Sequence, residues 1–158
     1  MFTGARLSEI LTLRWEHVSF ERQVLDLPDS KTGRKQIFLS APALQVLADL
    51  PRVEGNPHVI VGERAGAHLV NLQKPWGRIR RAAGLGEVRM HDLRHSFASV
   101  AAASGLSLPI IGKLLGHTKA VTTERYAHLA ADPIRAANDV IALRIAGALR
   151  SGSRGPND

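Results

Sequence analysis

Cysteine is missing from the 158-residue chain. Disulfides, thiolate nucleophiles and cysteine-ligated zinc are therefore excluded, and a reducing compartment suits the chain without being required. Aromatic residues are scarce, at 4%, so the core has to be built from Leu, Ile, Val and Ala. One Tyr, two Trp and four Phe leave little for a surface that stacks unpaired RNA bases. No apolar run approaches the roughly 18 residues of a membrane span. Met1 to Arg14 also lacks the apolar stretch of a secretory signal, so the cytoplasm is the expected location. Acidic residues are in deficit, 14 against 21 Lys and Arg, for a formal charge of +7. Such a surplus favours a polyanion as partner, either nucleic acid or an acidic membrane surface. The glycine-rich phosphate loop with its Lys-Ser/Thr ending is absent as well.

What remains is an ordinary globular composition, 44% hydrophobic and 22% charged, at one domain's length. The spacing of Leu7, Ile10 and Leu11 predicts a helix over Gly4 to Trp15. Val18 to Leu27 reads as a strand, Ser30 to Lys35 as a polar turn around Gly33, and Gln36 to Leu39 as the returning strand. Ser40 stands where an N-cap belongs before a short helix that Pro51 ends. A Gly- and Pro-rich stretch follows to Asn71, with one strand-like patch at His58 to Val61. Leu72 to Ala83 is read as helix with Pro75 in its first turn. Further helices are expected over His91 to Ser104, Pro109 to Leu115, Thr122 to Leu129 and Pro133 to Leu149. The expected class is mainly α with a small antiparallel β-sheet (α+β). Residues 1–150 form its domain, and 151–158 (SGSRGPND) a disordered tail.

Several side chains carry chemistry, each with an ordinary structural explanation beside it. Arg6 and Glu9, three apart, make either a local ion pair or an arginine held toward a phosphate by its carboxylate. Lys31 is either a solvated turn lysine or an ammonium at a hairpin tip that protonates a departing oxygen. His91 and Arg94 share one helical face, which suits phosphate binding with proton movement but also suits a solvated helix start. His91 and His95, four apart, lack the Glu of the zinc-protease pattern, since Asp92 follows His91, and no metal site is expected. Gly116 permits a chain reversal that aims His117 inward, or His117 merely faces the helix dipole. Tyr126, the sole tyrosine, is a core residue or a nucleophile able to form a phosphodiester link. Lys74, Arg78, Arg80 and Arg81 form the densest basic cluster, either a solvated face or contacts to a DNA backbone.

Taken in order, TGARLSEIL, SKTGRKQIFL, HDLRHSFAS, LLGH and TTERYAH resemble the tyrosine recombinase (phage integrase) family from Thr3 to Leu129. The resemblance implies that family's catalytic-domain fold and a site-specific recombinase. Such an enzyme cuts and rejoins DNA through a 3′-phosphotyrosyl intermediate, with no metal, no ATP and no other cofactor. On this reading Arg6 and Arg94 are the catalytic arginines, Glu9 supports the site, and Lys31 protonates the leaving 5′-oxygen. His91 accepts the tyrosyl proton, His117 is the second histidine and Tyr126 is the nucleophile. The implied partner is double-stranded DNA, bound by a tetramer, with a monomer or weak dimer in its absence. Family members also carry an amino-terminal helical clamp and one or two helices ahead of the first arginine's helix. The expectation is therefore a catalytic domain truncated at its N-terminus. The alternative is a truncated mobile-element remnant that keeps the fold and some DNA binding but recombines nothing.

Overall fold

The computed structural model describes residues 1–30, 33–129 and 138–146. The chain turns into its first helix at Gly4, whose φ is +59°. A Cβ there would lie 2.6 Å from Cδ1 of Phe97, so the backbone passes too close to that ring for any side chain. The helix itself, α1 (Leu7–Leu11), is shorter than the spacing predicted. Tertiary pairing ends it. The Trp15 amide donates to Pro57 O at 2.9 Å, and Arg14 pairs with His58 across an isolated antiparallel bridge. Leu7 is exposed, while Leu11 and Leu13 turn inward.

The expected single strand over Val18 to Leu27 is two. A short strand, β1 (Val18–Ser19), precedes a turn, and β2 (Val24–Ser30) follows it. Gln23 sits at the reversal with φ +55°, a conformation its residue type gave no warning of. The third strand, β3 (Gly33–Phe38), returns antiparallel to β2, and the sheet order is β1-β2-β3. Ser40 precedes α2 (Ala41–Ala48), with Pro42 in its first turn where a missing amide is harmless. The strand-like patch at His58 to Val61 contributes only isolated bridges, Arg14 to His58 and Val61 to His68.

The remaining described elements are helical: α3 (Gln73–Ala82), α4 (Asp92–Ala103), α5 (Leu108–Leu115) and α6 (Val121–Glu124). The helix expected over Thr122 to Leu129 breaks after α6 and resumes as a 3₁₀ turn at Ala127–Leu129. Neither Thr122 nor Thr123 caps it. Thr123 is 2% exposed and spends its hydroxyl on His117 instead. Of the last expected helix, 138–146 is helical. Val140, Ile141 and Ile145 are all exposed, so among the described residues nothing covers this apolar stripe. Ile134, Leu149 and the tail 151–158 lie outside the described residues.

Two apolar clusters result. One joins sheet, α2 and the α1 exit through Leu13, Leu25, Leu27, Ile37, Leu39, Ala43 and Val59. The other joins α4 and α5 through Ala98, Ala101, Ala102, Ile111 and Leu115, with Tyr126 packed into it. The buried members of both clusters are aliphatic apart from that tyrosine, as the composition required, with Trp15 and Phe97 packed against them. Among the described residues no helix is long and apolar enough to cross a membrane.

Candidate active site

The C-terminal end of α5 is where the two clusters meet. The last carbonyls of a helix have no partner within it and carry the negative end of its dipole. Gly116 follows with φ +67°, and reverses the chain there. Three cations from distant parts of the sequence close on these end carbonyls. Arg94 Nη2 donates to Leu115 O at 2.7 Å, and Arg6 Nη2 to Gly116 O at 3.1 Å. Lys35 Nζ lies 3.4 Å from Leu115 O. Arg94 also donates through Nη1 to Gly4 O, so the left-handed glycine fixes one arginine while its neighbour in space, Phe97, fills the wall.

Glu9 organises this group. Arg6 caps α1, its amide donating to Glu9 Oε2 at 2.8 Å and its Nη1 to Oε1 at 2.9 Å. Lys35 Nζ bonds the same carboxylate at 3.0 and 3.2 Å. Both ends of the Lys35–Glu9 pair are buried, with side chains 8% and 5% exposed. Burial opposes the charge on Glu9, but the Arg6 amide and the Lys35 ammonium together hold its carboxyl below the ordinary range. Burial lowers Lys35, and Arg94 and Arg6 lower it further; only Glu9 works the other way. Three cations thus face one carboxylate, a surplus that invites an anion.

The second half of the site is built from α4, the α5–α6 turn and the segment after α6. His91 precedes α4, exposed, and its ring meets that of His95 edge to face at 4.8 Å. Asp92 turns back to Arg89, accepting from its amide at 2.8 Å and its guanidinium at 2.9 Å, which drops its pKa to about 2. Tyr126 is 5% exposed, and its hydroxyl lies 2.6 Å from Nδ1 of His95. Burial raises the phenol's pKa, partly countered by Arg125 and Arg94. His117 is half-buried, with Nδ1 2.9 Å from Thr123 Oγ1. Burial lowers its pKa, and Arg94, Arg6, Arg125 and Lys35 lower it further.

Arg6, Glu9, Arg94 and His117 are therefore joined by contact or charge around one helix end, with His91 and Tyr126 tied to them through α4. Lys31 lies outside the described residues. Lys35 went unread in the sequence, although it shares a strand face with buried Ile37 two residues on, which is a signal that it points inward. For His95 the sequence offers only its four-residue spacing from His91, which suggests a metal ligand rather than a partner for Tyr126. Among the described residues no group of three or more His, Cys, Asp or Glu is placed to hold a metal. Of the basic cluster, Lys74, Arg78 and Arg81 are exposed on α3, whereas Arg80 is half-buried and reaches Val88 O at 3.5 Å.

The chain is similar to known tyrosine recombinases. The sequence is 30% identical over 143 residues to tyrosine recombinase XerD of Corynebacterium glutamicum, covering 84% of this chain and 47% of that protein. The chain spans about half the length of the curated relatives it matches. Its fold is that of the crystal structure of XerA recombinase, with a TM-score of 0.67 at 20% identity over 99% of this chain and 56% of the other. It is likewise that of the Tn1549 transposon integrase solved with transposon right end DNA, with a TM-score of 0.68 at 19% identity over 89% and 55%. The profile of the phage integrase family matches residues 1–132. Because that match runs from the first residue through the whole of the site just described, the chain belongs to the phage integrase family.

Proposed function

We propose that this chain is the catalytic part of a site-specific DNA recombinase, with residues 1–150 as its catalytic domain. The observation that carries the reading is the convergence of Arg6 and Arg94 on the adjacent carbonyls of Leu115 and Gly116. A guanidinium has more donors than these bonds use, and its planar fork suits the non-bridging oxygens of a phosphate. In the reaction Tyr126 attacks a scissile phosphate of double-stranded DNA and becomes joined to its 3′ side. The 5′-hydroxyl leaves with a proton from Lys31. Arg6, Arg94 and His117 stabilise the charge that gathers on the phosphorus oxygens, the kind of electrostatic help whose loss costs on the order of 100-fold in rate. The tyrosyl proton passes to the histidine pair at the start of α4. A second 5′-hydroxyl reverses the step, so no nucleotide and no metal enter the scheme.

Lys74, Arg78 and Arg81 on α3 serve the DNA backbone, giving salt-dependent binding without sequence choice. Arg80, turned toward Val88, is a weaker member of that set. The exposed apolar stripe of 138–146 suits contact with a neighbouring protomer in a tetramer on DNA. The test is covalent trapping. Wild-type protein incubated with nicked duplexes of randomised sequence should yield an adduct that survives denaturation, and Tyr126→Phe should yield none. Recovery of equal adduct from Tyr126→Phe, or of none from wild type, refutes the reading. In the second case the alternative, a mobile-element remnant that binds DNA but does not recombine it, takes its place.

A further inference from the structure

We propose that His95 is a catalytic residue of this site, holding the Tyr126 hydroxyl at Nδ1 and taking its proton as the phenol oxygen attacks phosphorus. The inference rests on the function proposed above and names the proton acceptor within it. Geometry separates the two histidines. Nδ1 of His95 is 2.6 Å from Tyr126 Oη, a short hydrogen bond, and the two rings are 6.0 Å apart and tilted by 46°. The His91 ring packs T-shaped against the His95 ring instead, one helical turn earlier.

The backbone explains the division of labour. Successive residues on a helix are turned by about 100°. Arg94 therefore faces Gly4 and Leu115 on one side of α4, and His95 faces Tyr126 on the next. The guanidinium that receives the phosphate and the imidazole that receives the proton are neighbours in sequence, which fixes their spacing through the helix itself. Tyr126 is held from the other side by the second apolar cluster, so its hydroxyl has little freedom to leave His95 while the helices stay packed.

The chemistry of the surroundings suits the role. From its own helix and the turn before it, His95 faces His91, Asp92 and Arg89; from the α6 side it faces Arg125. Burial, followed by His91 and Arg125, lowers its pKa, with Asp92 the one opposing group. A neutral imidazole with its own hydrogen on Nε2 leaves the Nδ1 lone pair for the phenol. In the forward step the Oη–P bond forms, the P–O5′ bond breaks, and the phenol proton moves to Nδ1, leaving an imidazolium. The departing 5′-oxygen takes its proton from a separate donor. In the reverse step the incoming hydroxyl displaces Oη, which recovers its proton from Nδ1.

Two measurements on the full chain test this. The first needs no DNA: imidazole ¹⁵N shifts should place the His95 hydrogen on Nε2, and Tyr126→Phe should move the Nδ1 resonance. Protonation at Nδ1, or a resonance indifferent to Tyr126→Phe, overturns the assignment. The second is the pH profile of single-turnover adduct formation on a nicked duplex. His95→Gln should slow the rate by about 100-fold or more and abolish the fall in rate on acidification. His91→Gln should slow the reaction but keep that fall. If His95→Gln keeps the acidic limb and His91→Gln loses it, the proton belongs to His91 and the inference fails. Absence of any wild-type adduct would instead fail the recombinase reading, while the ¹⁵N result would still report on the His95–Tyr126 bond.

Discussion

Replacing Gly4 with alanine should harm both stability and the site, and the two effects come from one methyl group. Gly4 has φ +59°, and its Cβ would lie 2.6 and 2.9 Å from Phe97 ring atoms and 3.0 Å from Leu115 Cδ2. Holding alanine in the left-handed region costs about 1 kcal/mol. Forcing a methyl into a packed wall adds about 1–3 kcal/mol. The sum, about 2–4 kcal/mol, corresponds to a fall in Tm of about 4–16 °C for a domain of this size. Gly55 supplies the control, since it has φ +75° with nothing within 4 Å of its notional Cβ. Gly55→Ala should therefore show only the backbone cost, a drop of about 2–4 °C. Thermal unfolding followed by circular dichroism measures both. Because Gly4 O accepts from Arg94, the Gly4→Ala chain should also form adduct more slowly at temperatures where it stays folded. Equal Tm values for the two variants would refute the claim that Phe97 and Leu115 forbid a side chain at residue 4.

Lys35→Met removes one of the two cations bonded to the buried Glu9 carboxylate, which keeps its bonds from Arg6, and should destabilise the fold by about 1–3 kcal/mol. Adding Glu9→Gln should recover part of that loss and part of the adduct rate, because the buried charge that has lost one of its two cations disappears; a double variant worse than Lys35→Met alone would contradict this. Acidification should weaken the free protein. His95 and His117 have folded pKa values below their ordinary ones, so the unfolded chain takes up protons first and stability falls as the pH drops below about 6.5 and on through the lowered folded values. Urea midpoints across that range measure the slope, and a midpoint that rises on acidification would contradict it.

Where the sequence carried backbone signals, the elements were legible. Gly105 and Gly116 mark the ends of α4 and α5, both with positive φ, and Pro109 marks the first turn of α5. The failures have a common cause in contacts between distant residues. Nothing local in Gln23 announces its left-handed turn, and α1 stops early because Trp15 and Arg14 pair with Pro57 and His58. Thr123 has the composition of a cap, yet His117 claims its hydroxyl. The site divides in the same way. Arg6, Glu9, Arg94, His117 and Tyr126 were named from their order and wording. Lys35, which reaches Glu9 across 26 positions and Leu115 across 80, and the His95–Tyr126 bond across 31, needed the closed fold to be seen.

The meeting point of the two clusters explains why the site lies where it does. An aliphatic core cannot absorb the bare carbonyls at the end of α5, so donors must be brought to them. Arg94 and Arg6 supply those donors and Lys35 adds its charge, and in doing so they crowd positive charge beside the second cluster. One carboxylate, Glu9, lessens the repulsion without cancelling it. The phenol stored in that cluster is thus kept protonated by burial and held by His95, next to a positive field that favours its anion. On the proposed function, a phosphate entering the field would relieve the crowding of cations as it meets the phenol. On that same proposal, structural need and chemical use fall on the same two arginines, so variants of Arg6 or Arg94 that weaken anion binding should also loosen the junction between the clusters.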